Sequence, residues 1–356
     1  MERDTLSMRQ LMAILWAGLL GPAAERLPGT AARAGGAGGL GLAVLGGVML
    51  LSGWILWRLT QGSGSLAQGF LDAFGGAAGK AVLFIYMVWC QLLLTVRLRQ
   101  SAQRLLSGGQ RDGAPWFFIL VLALMALWLA RGRLGAFGRT GELMFVGLAV
   151  TGCVVLVLAL FQVRGENLMG SWGWNGDTMR DLVLPGSSVL GYGIFAAFLM
   201  QPKTMRAVGR NWIGWTVLGC LAFILAQTIA LGVFGPVLTG RLPSPFFQLA
   251  KGVGVEGAFQ RIESVVAAVW TFSDLILLGG LLWAVRKIGR VLWPKAPGHS
   301  VVTVSALAGV VLGVALFGEK IPIRTVTEWV LPVGGLVSAV GVPLLAIVTK
   351  WPKGYG

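Results

Sequence analysis

The sequence contains one histidine and three cysteines among 356 residues, and this scarcity limits its chemistry. His299 stands alone between apolar segments, which excludes a histidine cluster for zinc binding or proton relay. Cys90, Cys153 and Cys220 lie in apolar segments without Cys-x-x-Cys or Cys/His spacing, so we interpret them as small core residues. No Ser/His/Asp or Cys/His set, phosphate-binding glycine loop or acid/base carboxylate pair is evident, so we expect no enzyme activity, metal or cofactor.

Charged residues are also scarce, at 12%, whereas hydrophobic residues make up 56% of the chain. Long runs such as "FILVLALMALWLA" have no polar face, which argues against a soluble enzyme and indicates a polytopic membrane protein. The net charge of +15 comes from Lys and Arg residues between the apolar runs. At those positions they meet lipid headgroups, so we expect a lipid bilayer as the surrounding partner and no nucleic acid.

The apolar runs have the length that a bilayer requires of a helix and predict an all-α membrane protein with about ten transmembrane helices. Ser7 and Gln10 form an S-x-x-Q capping box at the start of the first helix. Lys and Arg residues only weakly favour a cytoplasmic amino terminus, and Arg97 and Arg104, in the loop predicted after the third span, oppose it. The predicted spans are Ser7–Ala24, Leu40–Trp57, Ala81–Val96, Pro115–Ala130, Leu143–Phe161, Leu182–Met200, Trp212–Val237, Val265–Val285, Val301–Phe317 and Trp329–Val348.

Glycine and proline residues predict interruptions in the first and sixth spans, in "GLLGPAAERLPG" and "LPGSSVLGYGIFAAF". Interrupted helices at matching positions of two five-helix halves indicate an inverted-repeat transporter fold with a ligand site at the midplane. We place the halves at residues 1–163 and 182–349 of a single membrane domain, 1–356. Unwound backbone and helix amino termini suit a carboxylate, so amino acids and similar zwitterions fit. The alternative is that these residues only kink helices or permit close packing.

Two segments resemble the B subunits of spore germinant receptors. "LSMRQL" followed by "GLLGPAAERLPG" matches that family's Ser/Gln opening, its glycine and its Leu-Pro, here at Gly21 and Pro28. "PFFQLAKG" followed by "QRIESVVAAVWTFSDL" resembles its segment of Pro, Leu-Ala-Lys, Arg-x-Glu and a later Trp, here Arg261, Glu263 and Trp270. The order and spacing of these motifs, along most of the chain, make the resemblance specific. The glycine content, the short loops and Glu25 beside the first interruption depart from the family pattern.

The resemblance implies a member of the amino acid–polyamine–organocation superfamily with a LeuT-like fold of five plus five helices, in which helices 1 and 6 are broken. It implies a multi-pass subunit of the spore inner membrane that binds a small nutrient, such as an amino acid, and works beside germinant-receptor A and C subunits. An autonomous amino-acid permease on the same fold is the main alternative. A purely structural assembly subunit is the third.

Candidate functional residues come from the interruptions, from ionisable residues inside spans and from the family match. Glu25, Arg261 and Glu263 are candidates for a structural or gating role. The candidate ligand-binding residues are Gly18, Gly21, Pro22, Tyr86, Gly191, Tyr192, Gly193, Trp270 and Asp274.

Several of these candidates have a second interpretation. The hydroxyl of Tyr86 fits a ligand carboxylate or a backbone carbonyl, and Trp270 fits cavity lining or packing. Asp274 lies inside the eighth span, which by default indicates function, although a pair with Arg286 or Lys287 also explains it. Arg261 and Glu263 also fit a solvated interfacial pair.

Overall fold

The computed structural model describes residues 5–33, 38–61, 63–107, 113–168, 176–242, 244–252, 262–315 and 323–350. These residues are helical almost throughout and contain no β-strand. The predicted all-α fold class is therefore confirmed. The helices are α1 (Met8–Arg33), α2 (Gly38–Thr60), α3 (Leu66–Phe74), α4 (Gly76–Ser107), α5 (Pro115–Arg131), α6 (Leu134–Leu160), α7 (Gly176–Leu199), α8 (Pro202–Arg241), α9 (Pro245–Gly252), α10 (Ile262–Leu292), α11 (Gly298–Ala315) and α12 (Ile323–Lys350), with a short 3₁₀ helix at Gly165–Leu168.

Each predicted span coincides with one of the long helices. Eight described helices are long and apolar enough to cross a membrane, judged by length and composition. The other two are α5, which has 17 residues, and α1, which carries Arg9, Glu25 and Arg26. In α12, the segments Val326–Val330 and Val337–Gly341 are π-helical.

Local sequence explains where several helices begin. The Ser7–Gln10 capping box is confirmed, since the Ser7 amide donates to Gln10 Oε1 at 3.1 Å and the Gln10 amide donates to Ser7 Oγ at 3.2 Å. Ser65 caps α3 by accepting from the Gln68 amide. Pro115 is the first residue of α5. An N–H group at this position has no acceptor within the helix, so its absence in proline costs no hydrogen bond.

The long helices form an inner group and an outer group. In α7 and α10, 78% of the most apolar stretch of the helix is buried, compared with 17% in α6 and 28% in α8. The outer helices expose large side chains such as Val150 and Val154 on α6 and Leu218 and Leu221 on α8. Because a bilayer is itself apolar, these faces are suited to lipid. Helix α1 is buried along most of its length and packs against α6, α7, α8 and α10.

The predicted interruptions of the first and sixth spans are wrong, because α1 continues through Pro22 and Pro28 and α7 continues through Pro185. The fixed φ of proline is helical, so a proline costs a backbone hydrogen bond without forcing the chain to unwind. In a membrane helix, neighbouring side chains re-satisfy freed backbone groups.

Non-helical backbone occurs instead inside α8, at Gly235, where φ is +73° and ψ is 164°. A residue before proline is disfavoured in the α region, and Pro236 follows. Glycine is the residue that accepts a positive φ at no steric cost. The kink faces the short 3₁₀ helix, since Asn167 donates its amide to the Gly232 carbonyl at 2.9 Å.

Candidate functional site

Four charged side chains from three helices form a closed ion cluster in the core. Arg97 on α4 donates through Nε to Asp274 Oδ1 on α10 at 2.8 Å, and through Nη1 to Glu25 Oε2 on α1 at 2.7 Å. Arg104, two turns further along α4, pairs with both carboxylates as well. Arg97 and Asp274 are deeply buried, with side-chain exposed fractions of 0% and 1%, whereas Arg104 and Glu25 are 10% and 16% exposed. We call Glu25, Arg97, Arg104 and Asp274 the ion cluster.

The ion cluster is neutral overall, because two guanidinium groups face two carboxylates. Removing one partner of a buried ion pair leaves an uncompensated charge, which costs several kcal/mol. The pairs therefore fix α1, α4 and α10 relative to one another. Ionisable groups at membrane depth are also a default indication of function.

Beside the ion cluster, Ser273 of α10 inserts into the backbone ladder of α1. Its hydroxyl accepts from the Gly21 amide at 2.8 Å and donates to the Ala17 carbonyl at 2.6 Å. In a regular α-helix these two backbone groups bond directly to each other. A side chain inserted in this way is a recognised cause of helix distortion. The local change at Gly21 is therefore a bridged hydrogen bond, and α1 stays helical.

Position 21 requires glycine because there is no space for a Cβ. A Cβ at this position would overlap Arg97 Nη2 and would lie 2.9 Å from Ser273 Oγ. The first contact would displace a guanidinium of the ion cluster, and the second would disturb the serine bridge. This glycine thus lets α1 approach both α4 and α10.

A polar cavity of about 820 Å³ adjoins the ion cluster and is bordered mainly by α1, α4, α7, α8, α9 and α12. We call it the polar cavity. Its lining is rich in arginine and amide side chains, in contrast to the apolar surfaces of the outer helices. Its charged and polar lining residues are Glu25, Arg26, Arg33, Arg97, Gln100, Gln103, Arg104, Ser188, Tyr192, Arg241, Ser244, Gln248, Arg324, Thr327 and Glu328.

Three polar groups in this lining are buried without a hydrogen-bond partner among the described residues. They are the hydroxyl of Ser244, which precedes α9, and two groups on α1 and α7. One is the hydroxyl of Tyr192 on α7, whose residue is 3% exposed. The other is Nη2 of Arg26 on α1. Buried polar groups in native proteins are generally bonded, so free groups on one cavity wall indicate a ligand or water at that wall. All three groups can donate hydrogen bonds.

The structure brings five of the predicted site residues to this region. Pro22, Glu25 and Tyr192 line the polar cavity. Gly21 and Asp274 lie behind it, in contact with Arg97. The alternative partner for Asp274, Arg286, instead donates to the Ala130 and Gly132 carbonyls.

Other predicted ligand-binding residues lie away from the polar cavity. The Tyr86 hydroxyl donates to the Ser338 carbonyl at 2.6 Å, which is the second of its two interpretations. A Cβ on Gly18 would meet the Phe195 ring at 3.3 Å, and one on Gly191 would lie 2.8 Å from the Gly335 Cα. These two glycines allow close helix packing. Gly193 borders a separate pocket of about 40 Å³.

Trp270 lines a different cavity, of about 340 Å³, with almost entirely apolar walls. Its ring packs against Phe246 and Phe247 of α9, with centroids 5.3 and 6.2 Å away. The Arg104 guanidinium lies 5.8 Å from the ring centroid, so Trp270 connects the apolar cavity to the ion cluster. Arg261 lies outside the described residues, and for Glu263 only its position at the start of α10 is described.

Sequence analysis missed Arg97 and Arg104 as site residues because it ended the third span at Val96 and placed both in a loop. Helix α4 continues to Ser107. The available signal was the pair of acidic residues inside apolar segments, Glu25 and Asp274, since each requires a cation when buried. A seven-residue spacing puts both arginines on one face of a helix.

Comparison with known proteins gives one informative match. A family model described as "Spore germination protein" matches residues 5–319, so the match covers α1 to α11 and ends before α12. No curated protein matches the chain. The family and the eight apolar helices together confirm the predicted multi-pass membrane protein of a spore-forming bacterium. The chain belongs to the spore germination protein family.

Proposed function

We propose that the protein is the membrane subunit of a spore germinant receptor, binds a small nutrient in the polar cavity and thereby triggers germination. The observation that carries this proposal is the cavity itself, about 820 Å³ with unpartnered Arg26 and Tyr192 groups on its wall. Ligand sites combine a cleft or cavity of this volume with a few converging polar groups. Family membership supports the germination-related role.

The proposal includes two halves of five long helices, α1 to α6 and α7 to α12. Its support is the order of elements, because in each half two long helices are followed by a short helix, α3 or α9, and then by three long segments. The uninterrupted α1 and α7 provide no such support.

The helix contacts also support the two halves. Helix α1 packs on α8 as α2 packs on α7, and α4 packs on α11 as α5 packs on α10. The equivalent helices α4 and α10 pack on each other, as do α5 and α11. An approximate twofold relation between the halves produces this pattern, which is typical of inverted-repeat transporters.

The ion cluster provides a route from ligand binding to a change in helix positions. Arg26 and Glu25 are neighbours on α1, and Glu25 both lines the polar cavity and belongs to the cluster. A ligand shifts a conformational equilibrium by its difference in affinity for the two states. A nutrient held between α1 and α7 would therefore favour the arrangement of α1 that it fits best, and the cluster would pass that preference to α4 and α10. We place the receptor's A and C subunits as partners that respond to it.

Deletion of the gene in the native spore former tests the proposal. We expect normal vegetative growth and sporulation, with loss of germination to one nutrient or a small group of nutrients. Expression of the wild-type chain should restore the response. A chain carrying Tyr192→Phe, at normal membrane abundance, should restore it with a raised half-maximal nutrient concentration.

Normal germination to every nutrient, in a deletion strain without redundant receptor genes, would contradict the receptor role. Uptake of a labelled amino acid by proteoliposomes of the purified chain alone would favour the autonomous permease.

A further inference from the structure

The polar cavity carries an excess of positive charge among the residues that the structure describes. Its described lining contains six arginines and two glutamates. Glu25 and the adjacent Asp274 neutralise Arg97 and Arg104, and Glu328 pairs with Arg324 at 2.7 Å. The described lining arginines with no carboxylate at salt-bridge distance are Arg26, Arg33 and Arg241, and Glu328 also attracts Arg26 from further away.

The unpartnered groups of Arg26 and Tyr192 can both donate hydrogen bonds, although a hydroxyl can also accept. A guanidinium has donors only, and the Tyr192 hydroxyl retains its proton for donation. A carboxylate is the complementary group, since it only accepts, and charge-assisted bonds to arginine are among the strongest in proteins. Ser188, which also lines the cavity, already donates to a backbone carbonyl.

The same described lining offers no free carboxylate for a ligand ammonium group. Glu25 is bonded to Arg97 and Arg104, and Glu328 accepts from Arg324 Nε. A zwitterion would therefore find charged partners for its carboxylate but not for its ammonium group. A ligand with a second carboxylate gains from the remaining positive potential.

We infer that the polar cavity binds a small organic anion with two carboxylates, a dicarboxylate or an acidic amino acid, with one carboxylate on Arg26 and Tyr192. This inference rests on the proposed function, because it names the chemical class of the nutrient for the same cavity. The bound carboxylate would join α1 to α7, since Arg26 belongs to α1 and Tyr192 to α7.

The test is calorimetric titration of the full-length purified chain in phosphatidylcholine nanodiscs, which contain no anionic lipid. The probes are succinate, L-glutamate and L-alanine. We expect succinate or L-glutamate to bind at least about ten-fold more tightly than L-alanine, as one additional charge-assisted hydrogen bond allows. Its affinity should fall as sodium chloride is raised, because salt screens the attraction.

Four variants locate the carboxylate. Arg26→Gln should weaken anion binding about ten-fold or more, and Tyr192→Phe about three- to ten-fold. Arg58→Gln is the matched control, since Arg58 of α2 lies outside the cavity lining and its Nη1 donates to Gln61 Oε1 at 3.0 Å. It should change affinity less than about three-fold. Arg26→Lys keeps the charge and should retain part of the binding, which separates loss of the site from loss of folding.

Three results would overturn the inference. If L-alanine binds as tightly as the anions and Arg26→Gln leaves it unchanged, the ligand is not recognised as an anion, although the nutrient-binding proposal stands. If the anions bind but Arg26→Gln and Arg58→Gln weaken their binding equally, the carboxylate position is wrong. Absence of binding by all three probes, together with normal germination of the deletion strain, would overturn both proposals.

Discussion

Neutralising one carboxylate of the ion cluster should destabilise the protein strongly. In Asp274→Asn, Arg97 and Arg104 would share only Glu25, and one positive charge would be left uncompensated in the core. Breaking a buried ion pair in this way costs about 3–5 kcal/mol. Unfolding entropy near 2.1 cal/mol/K per residue, over 356 residues, converts this cost to a melting temperature lower by about 4–7 °C. Tryptophan fluorescence of the purified chain in detergent measures the change.

A double variant separates the effect of charge balance on stability from the effect of packing. Asp274→Asn combined with Arg104→Gln restores neutrality, so the double variant should recover at least about half of the lost stability, because buried pairs replaced together are often nearly neutral. Glu142→Gln is the matched control, since Glu142 pairs with Arg9, whose side chain is 79% exposed. An exposed pair contributes about 0–1 kcal/mol. If Asp274→Asn melts like Glu142→Gln, or if the losses of the two single variants simply add, the ion cluster does not act as one unit.

Further substitutions test the helix contacts around the site. Ser273→Ala removes the bridge between Gly21 and Ala17 and should cost about 1–3 kcal/mol of stability in the same assay; an unchanged melting temperature would show that the two backbone groups pair without it. Gly191→Ala should lower membrane abundance, because its Cβ would lie 2.8 Å from the Gly335 Cα, whereas Gly193→Ala, with its nearest atom at 3.6 Å, should leave abundance unchanged. Equal abundance of these two variants would contradict the packing role. Tyr86→Phe should cost about 1 kcal/mol without changing the nutrient response, and a raised half-maximal nutrient concentration would place Tyr86 at the ligand.

The helices could be predicted from the sequence because their signals are local. Apolar runs of bilayer length located the ten long segments, and the Ser7–Gln10 pair located the start of α1. Helix ends were less accurate: α4 begins at Gly76 and ends at Ser107, beyond the predicted Ala81–Val96. A span read from hydropathy ends where charge begins, but a helix ends where its backbone bonding ends. A span located by hydropathy therefore leaves out arginines that lie in the same helix and are buried by pairing with carboxylates.

The site could be predicted only in part because its geometry depends on contacts between distant segments. Asp274 was identified from the cost of burying a carboxylate inside a span, which a sequence reveals, and Glu25 from its place beside the predicted interruption of the first span. Their partners on α4 are 72 and 177 residues away, and no periodicity connects them. The glycines mark places where helices approach closely, yet the sequence does not state whether a ligand or another helix fills the space. At Gly191 the neighbour is Gly335, and at Gly21 it is Arg97.

Because the ion cluster lies beside the polar cavity, the charge of the ligand affects the contacts between α1 and α4. In the proposed binding mode, an anion on Arg26 lies next to Glu25 along α1 and repels that carboxylate. Two like charges about 4 Å apart repel by about 4 kcal/mol at an effective dielectric constant of 20. Neighbouring residues on a helix do not face each other, so the anion lies further than this from the Glu25 carboxylate and the repulsion is smaller. It weakens the bonds from Glu25 to Arg97 and Arg104 without replacing them. A neutral zwitterion would exert a smaller repulsion. The ligand that best fits the wall of the polar cavity is therefore also the ligand that best loosens α1 from α4, and binding and signalling would depend on the same charge.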